Sequence, residues 1–218
     1  MLNPRFRIAA TALLVAMLAA AARVLADIPF DMPLAVHFDA AGNADAWAPA
    51  WQALSLFPLL SLGVLALLRL LPAIDPRAPN LLRSRPAIQA ILLAVLGMLA
   101  ALHLVLAAKA LGIPMPVPRI AATATGLLFI VTGNVMGKLR WNHTVGIRTP
   151  WTLANERVWD QTHRFAGRVF VAGGTIMAIA VWRHAAQGHE AALIISGTVL
   201  VAVLPVLRSY QLWREHRE

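Results

Sequence analysis

Six stretches of this chain, at about 8–26, 51–71, 88–110, 119–137, 166–183 and 191–208, are each long and apolar enough to cross a lipid bilayer as a helix. A hydrocarbon core of roughly 30 Å takes about 20 apolar residues in helical form. No water reaches that core, so every backbone amide must find its partner within the segment, which a helix alone provides. Breakers mark the connections: Pro29 and Pro33, then Pro72, Pro76 and Pro79, then Pro114, Pro116 and Pro118, with Pro150 and Gly188 further on. With 59% hydrophobic and 13% charged residues, the chain is excluded from the disordered and the ordinary water-soluble classes. It has no cysteine, which removes disulfides, thiolate metal sites and cysteine nucleophiles from consideration.

A net charge of +9 invites a nucleic-acid reading, but the placement of the basic residues argues otherwise. Fifteen of the 19 Lys and Arg residues lie before the first span, around the second and fourth connections, or after the last span. The alternate connections hold only Arg23, Lys109, Arg119 and Arg183. This is the positive-inside pattern, which puts both termini in the cytoplasm and leaves no role for direct nucleic-acid binding. The Trp residues fall near span ends, Trp47, Trp51 and Trp182 outside and Trp141, Trp151, Trp159 and Trp213 inside, where indole rings suit the headgroup level. Residues 1–26 also resemble a signal peptide, with Val24-Leu25-Ala26 before Asp27. Arg23 beside that site and a run of spanning length favour an uncleaved first helix.

The expected fold class is therefore an all-α integral membrane protein. It is a six-transmembrane-helix bundle with a short ordered extracytoplasmic cap and a cytoplasmic interfacial amphipathic helix. The chain divides into three segments: 1–71, a helical hairpin with an outer cap at 27–50; 72–118, the third span and its flanks; and 119–218, three spans with an inner motif at 138–168. No Asp or Glu lies within the six spans, which argues against a proton-driven pump. His103, deep in the third span, reads as a neutral imidazole bonded to a neighbouring helix rather than as a ligand. Small residues at Ala122 and Gly126, Gly133 and Gly137, and Gly174 and Ala178 let backbones approach, favouring a compact bundle or a homo-oligomer seam.

The outer connection carries four Asp and no Lys or Arg between residues 27 and 50. Val36 and Phe38 flank His37 in an alternating pattern and Gly42-Asn43 supplies a turn, which predicts a strand-and-turn cap. Its polar and aromatic members, His37, Phe38, Asp39, Gly42, Asn43, Asp45 and Trp47, form a candidate ligand surface. Imidazole and carboxylate suit several metals, yet no ligand spacing is present, and the plainer expectation is that Asp39 and Asn43 bond turn amides while His37 packs over the span ends.

The inner connection, 138–168, is too long to be structureless. Thr149 is placed as a helix N-cap with Pro150 at the first helical position. Trp151, Ala154, Val158, Thr162 and Phe165 then recur at helical steps as one face. Such a helix would lie at the inner interface, anchored by Trp159. Asp160 and Arg164 are spaced to pair, and Glu156, Asp160 and His163 share a face that, with His143, resembles a catalytic or metal cluster; no known ligand spacing matches it, and solvated charges on an interfacial helix need no special role, which is the favoured reading.

The run Asn142-His143-Thr144-Val145-Gly146-Ile147-Arg148-Thr149-Pro150-Trp151-Thr152-Leu153, followed by Val158-Trp159 and Thr162-His163-Arg164, resembles the signature of the SdpI family. These are bacterial multi-pass membrane proteins named for an immunity protein against a secreted peptide toxin. The stretch Pro33 to Trp47, with His37-Phe38 and Gly42, is similar to the domain of unknown function that commonly precedes that signature. The resemblance implies immunity or signalling without catalytic turnover and without a cofactor. Its outer cap would meet toxin. The inner residues Asn142, Gly146, Ile147, Arg148, Thr149, Pro150, Trp151, Thr152, Trp159, His163 and Arg164 would form the side read by a transcriptional repressor. Two rival classes stand beside it: a membrane enzyme using Glu156, Asp160 and His163, and an uncoupled small-molecule transporter.

Overall fold

The computed structural model describes residues 3–39, 43–183 and 190–215. Six long helices carry the chain: α1 (Pro4–Asp27), α2 (Ala50–Ile74), α4 (Arg85–Ala110), α5 (Val117–Met136), α7 (Glu156–Arg183) and α8 (Glu190–Glu215). Between them lie two strands, β1 (Pro33–Phe38) and β2 (Ala44–Pro49), and two short helices, α3 (Ala78–Arg83) and α6 (Pro150–Ala154). All six long helices have the length and hydropathy to cross a membrane, and this is a multi-pass membrane protein. Their outward faces carry large apolar side chains in the open, among them Ile8, Leu18, Leu59, Ile176, Ile195 and Leu200. A water-soluble surface does not tolerate apolar area on that scale, whereas lipid is a suitable solvent for it.

Helices α1, α2 and α4 pack as one group and α5, α7 and α8 as a second, with the α4–α5 contact joining them. The closest seam is α5 against α7, and small residues explain it. A Cβ on Gly126 would sit 2.7 Å from the Gly174 carbonyl oxygen, and one on Gly133 would sit 2.6 Å from that of Gly167. The small-residue stripes thus build the bundle itself. His103 is fully buried, with Nε2 bonded to the Met17 carbonyl at 2.9 Å and its ring edge-on to Phe57, so it ties α4 to α1 as the sequence suggests.

The inner segment is not the single continuous interfacial helix expected. The helix expected from residue 150 to about 165 is split at Asn155, whose backbone is extended, into α6 and the first turns of α7. Asn155 Oδ1 accepts from the amides of Arg157 and Val158 and so starts the second helix. From Glu156 the chain runs without a break into the fifth span, 28 residues long. At 1.5 Å per residue that is about 42 Å, so one end extends beyond the hydrocarbon.

Candidate functional site

The candidate site is the arginine-rich end of the bundle, where the connection after α2 meets the segment 137–155. Pro76 cannot continue α2, and Asp75 is left at its end with its side chain fully buried. Oδ1 accepts from the Arg77 amide at 2.7 Å, and Oδ2 accepts from the His143 amide at 3.0 Å and from Thr144 Oγ1 at 2.8 Å. Burial pushes the Asp75 carboxyl up, but these three donors and the neighbouring His143 ring outweigh it and hold the group below its ordinary range. Arg77 lies with Cζ 3.3 Å above the Trp141 ring, and its Nη1 is 3.2 Å from His143 Nδ1. Asn80 Nδ2 donates to the Trp141 carbonyl at 2.9 Å, and Ser84 Oγ accepts from the Arg140 amide at 2.8 Å. Four residues of the second connection, Asp75, Arg77, Asn80 and Ser84, therefore clamp the start of the inner motif.

Within the motif, side chains stand in for secondary structure. Asn142 is fully buried and uses its whole amide: Oδ1 accepts from the amides of Thr144 (2.9 Å) and Val145 (2.7 Å), while Nδ2 donates to the carbonyls of Arg140 (2.8 Å) and Val145 (3.0 Å). Trp141 Nε1 donates to the Thr152 carbonyl at 3.0 Å. Thr149 caps α6 with a reciprocal Thr149–Thr152 bond pair, and Pro150 takes the first helical position, as the sequence predicts. Trp151 Nε1 donates to Ser209 Oγ on α8, and its ring meets Tyr210 and Trp213 at centroid distances of 5.3 and 6.2 Å.

The centre of the network is the pair Trp159 and His163. Trp159 is completely buried and donates from Nε1 to the Leu139 carbonyl at 2.9 Å. His163, 1% exposed, stacks on it with ring centroids 4.0 Å apart. Its Nε2 accepts from the Ile147 amide at 3.0 Å and its Nδ1 bonds the Trp159 carbonyl at 2.8 Å, so geometry selects the neutral ring with the proton on Nδ1. Gly146 passes directly over this pair at φ +134°, where a Cβ would overlap His163 Nε2 and crowd the indole at 2.8 Å. Of the motif, Asn142, Thr149, Thr152, Trp159 and His163 are buried, whereas Gly146, Arg148, Pro150 and Arg164 are exposed.

Three expectations about this segment are corrected. Trp159 is a core residue and not an interfacial anchor, because its indole N–H finds a buried carbonyl. Glu156, Asp160 and His163 form no cluster: His163 turns inward while Glu156 is exposed and Asp160 half-buried, and no group of three potential metal ligands exists among the described residues. Asp160 and Arg164 do not pair, unlike Arg208 and Glu215 at 3.1 Å. Sequence reasoning does not bring the second connection into the site. One signal points to it: Asp75 is the only acidic residue between Asp45 and Glu156.

At the opposite end β1 and β2 pair antiparallel, with Pro33 opposite Pro49 and Phe38 opposite Ala44. Asp39 and Asn43 close the turn as expected, the Asn43 amide donating to Asp39 Oδ1 at 2.8 Å. His37 does not pack over the span ends; its side chain is 70% exposed and Nδ1 meets Asp45 Oδ1 at 2.6 Å across the strands. Trp47 is 58% exposed, and Gly42 lies outside the described residues, as does Gly188. Beneath β1 a cleft of about 520 Å³ opens between the two helix groups, lined by Phe57, Leu102 and Val105 on one side and Val117 and Ile194 on the other. Phe38 roofs it, with Lys109 Nζ 5.0 Å from its ring centroid.

The segment that carries the buried network is shared with known proteins. The SdpI/YfhL protein family matches residues 138–209, which hold that network, α7 and most of α8. Over these residues the chain is similar to that family. The immunity protein SdpI of Bacillus subtilis (strain 168) is 36% identical over 106 residues, covering 48% of this chain and 50% of that protein. The chain thus matches about half the length of this curated relative. No solved structure matches it.

Proposed function

We propose that this chain is an SdpI-like membrane immunity protein, which protects against or senses a secreted membrane-active peptide and relays to a cytoplasmic regulator. The observation that carries this reading is the identity to an immunity protein across half of this chain, together with the family match over the segment that forms the buried network. The arginine excess around residues 69–85 and 138–168 supports a cytoplasmic location for that end and for both termini. It also supports an outward-facing strand cap. In this arrangement the apolar face of the peptide enters the cleft beneath β1, while His37, Asp39, Asn43, Asp45 and Trp47 meet its polar groups. The regulator contacts the exposed members of the inner motif, Arg148, Pro150 and Arg164. The buried members, Asn142, Trp159 and His163, hold that surface in shape.

The test is survival. A bacterium deleted for its own immunity protein is given this gene and challenged with the secreted peptide it can no longer resist. Protection, lost when the cleft is filled by Val105→Trp, supports the reading. Equal killing with and without the gene, at matched membrane expression, overturns it. Reporter fusions at residues 43 and 146 test orientation; a periplasmic signal at 146 would reverse the assignment of the two ends.

A further inference from the structure

The arginine-rich ends of α1, α2, α3 and α4 enclose a second cleft, of about 600 Å³, which plays no part in the proposed recognition of peptide or regulator. Its floor is apolar, made by Leu68, Leu71, Leu81 and Ile88. Around it stand Arg7 from α1, Arg69 from α2 and Arg85 from α4. An adjoining hollow shares Arg85 and Gln89 and adds Arg5 and Arg83. No acidic side chain pairs with any of these five arginines among the described residues; Asp75, the acid closest to them in sequence, is committed to Arg77, His143 and Thr144. Gln89 lines both hollows, is 7% exposed, and its Nε2 has no hydrogen-bond partner. A buried amide donor without an acceptor is unusual in a folded protein and points to an absent acceptor.

We infer that this cleft binds an anionic amphiphile, a lipid whose phosphate headgroup sits among Arg7, Arg69, Arg85 and Gln89 Nε2 and whose acyl chain lies along the leucine floor. Guanidinium groups match phosphate oxygens in charge and in fork geometry, and unpaired convergent cations at a membrane surface attract anionic headgroups. The apolar floor requires a tail, because a soluble phosphate would leave it uncovered. Its residues Leu71, Leu81 and Ile88 also pack in the cluster that contains Trp159, so the lipid lies against the back of the buried network.

Native mass spectrometry of the full chain in neutral detergent tests this, with phosphatidylglycerol, phosphatidylcholine of the same chains, and glycerol 3-phosphate as probes. Phosphatidylglycerol should be retained about 100-fold over phosphatidylcholine, at roughly five-fold for each of the three arginines. The triple variant Arg7→Gln, Arg69→Gln, Arg85→Gln should abolish that preference, and Gln89→Leu should reduce it, while Arg214→Gln at the end of α8 leaves it intact. Should the triple variant aggregate, Arg7→Gln and Arg85→Gln singly carry the test, each with about a five-fold loss. Equal retention of the two lipids, a preference that survives loss of the arginines, or binding of glycerol 3-phosphate as tight as that of the lipid overturns the proposal.

Discussion

Replacing Asp75 by alanine strips three donors of their acceptor at once: the amides of Arg77 and His143 and the hydroxyl of Thr144, at 2.7, 3.0 and 2.8 Å in the parent protein. A donor orphaned in a buried site costs about 1–3 kcal/mol. Water reaches Arg77 and His143, which are half-buried, and Thr144 Oγ1 retains Asn142 Oδ1 at 3.4 Å, so the low end of that range applies to each. The sum is about 3 kcal/mol, equivalent to roughly 100-fold in a local opening equilibrium. Hydrogen exchange on the purified protein reads this directly. Peptides covering 141–148 should exchange about 100-fold faster in Asp75→Ala, on the same conversion, with a smaller effect in Asp75→Asn, which keeps one acceptor oxygen. Peptides from β1 and β2, at the other end of the bundle, should not change. If 141–148 exchanges within three-fold or so of the parent protein, the clamp between the two connections has no energetic content and does not hold the motif in place.

The same carboxylate predicts a pH response. Its folded-state pKa lies below its unfolded value of about 3.9, so its stabilisation is complete above that value and is lost as pH falls through the folded one. Exchange at 141–148 should therefore be insensitive to Asp75 titration around neutrality, after correction for intrinsic rates, and rise only below about pH 4. Gly133→Val drives a side chain at the Gly167 carbonyl, 2.6 Å from the first carbon, and should lower the thermal midpoint by an amount matching about 3 kcal/mol. His163→Leu fills the space but orphans the Ile147 amide, for a loss of about 2 kcal/mol measured by thermal unfolding; a parent-like midpoint would show that the imidazole is mere filler. His37→Ala removes an exposed pair and should shift stability by no more than about 0.5 kcal/mol while weakening peptide binding, as a titration with labelled peptide would report.

Features governed by local rules were legible in the order of residues. The six spans could be read because lipid forces each backbone to satisfy itself within one run, and the start of α6 because Thr149 and Pro150 are adjacent. The strand cap was legible from alternation around His37 and the turn after it. His103 as an interhelix bond came from the poverty of alternatives inside an apolar span. Long-range pairing was another matter. Asp75 stands 68 residues before His143 and accepts from its amide, yet nothing in chain order says which connections at one end of a bundle will touch; the folded chain alone makes that choice. The inward turn of His163 has the same origin. A histidine four residues after a tryptophan is placed on that residue's helical face by geometry, but the burial of that face depends on whether another segment, here Gly146-Ile147, lies down over it and brings an amide to the free ring nitrogen.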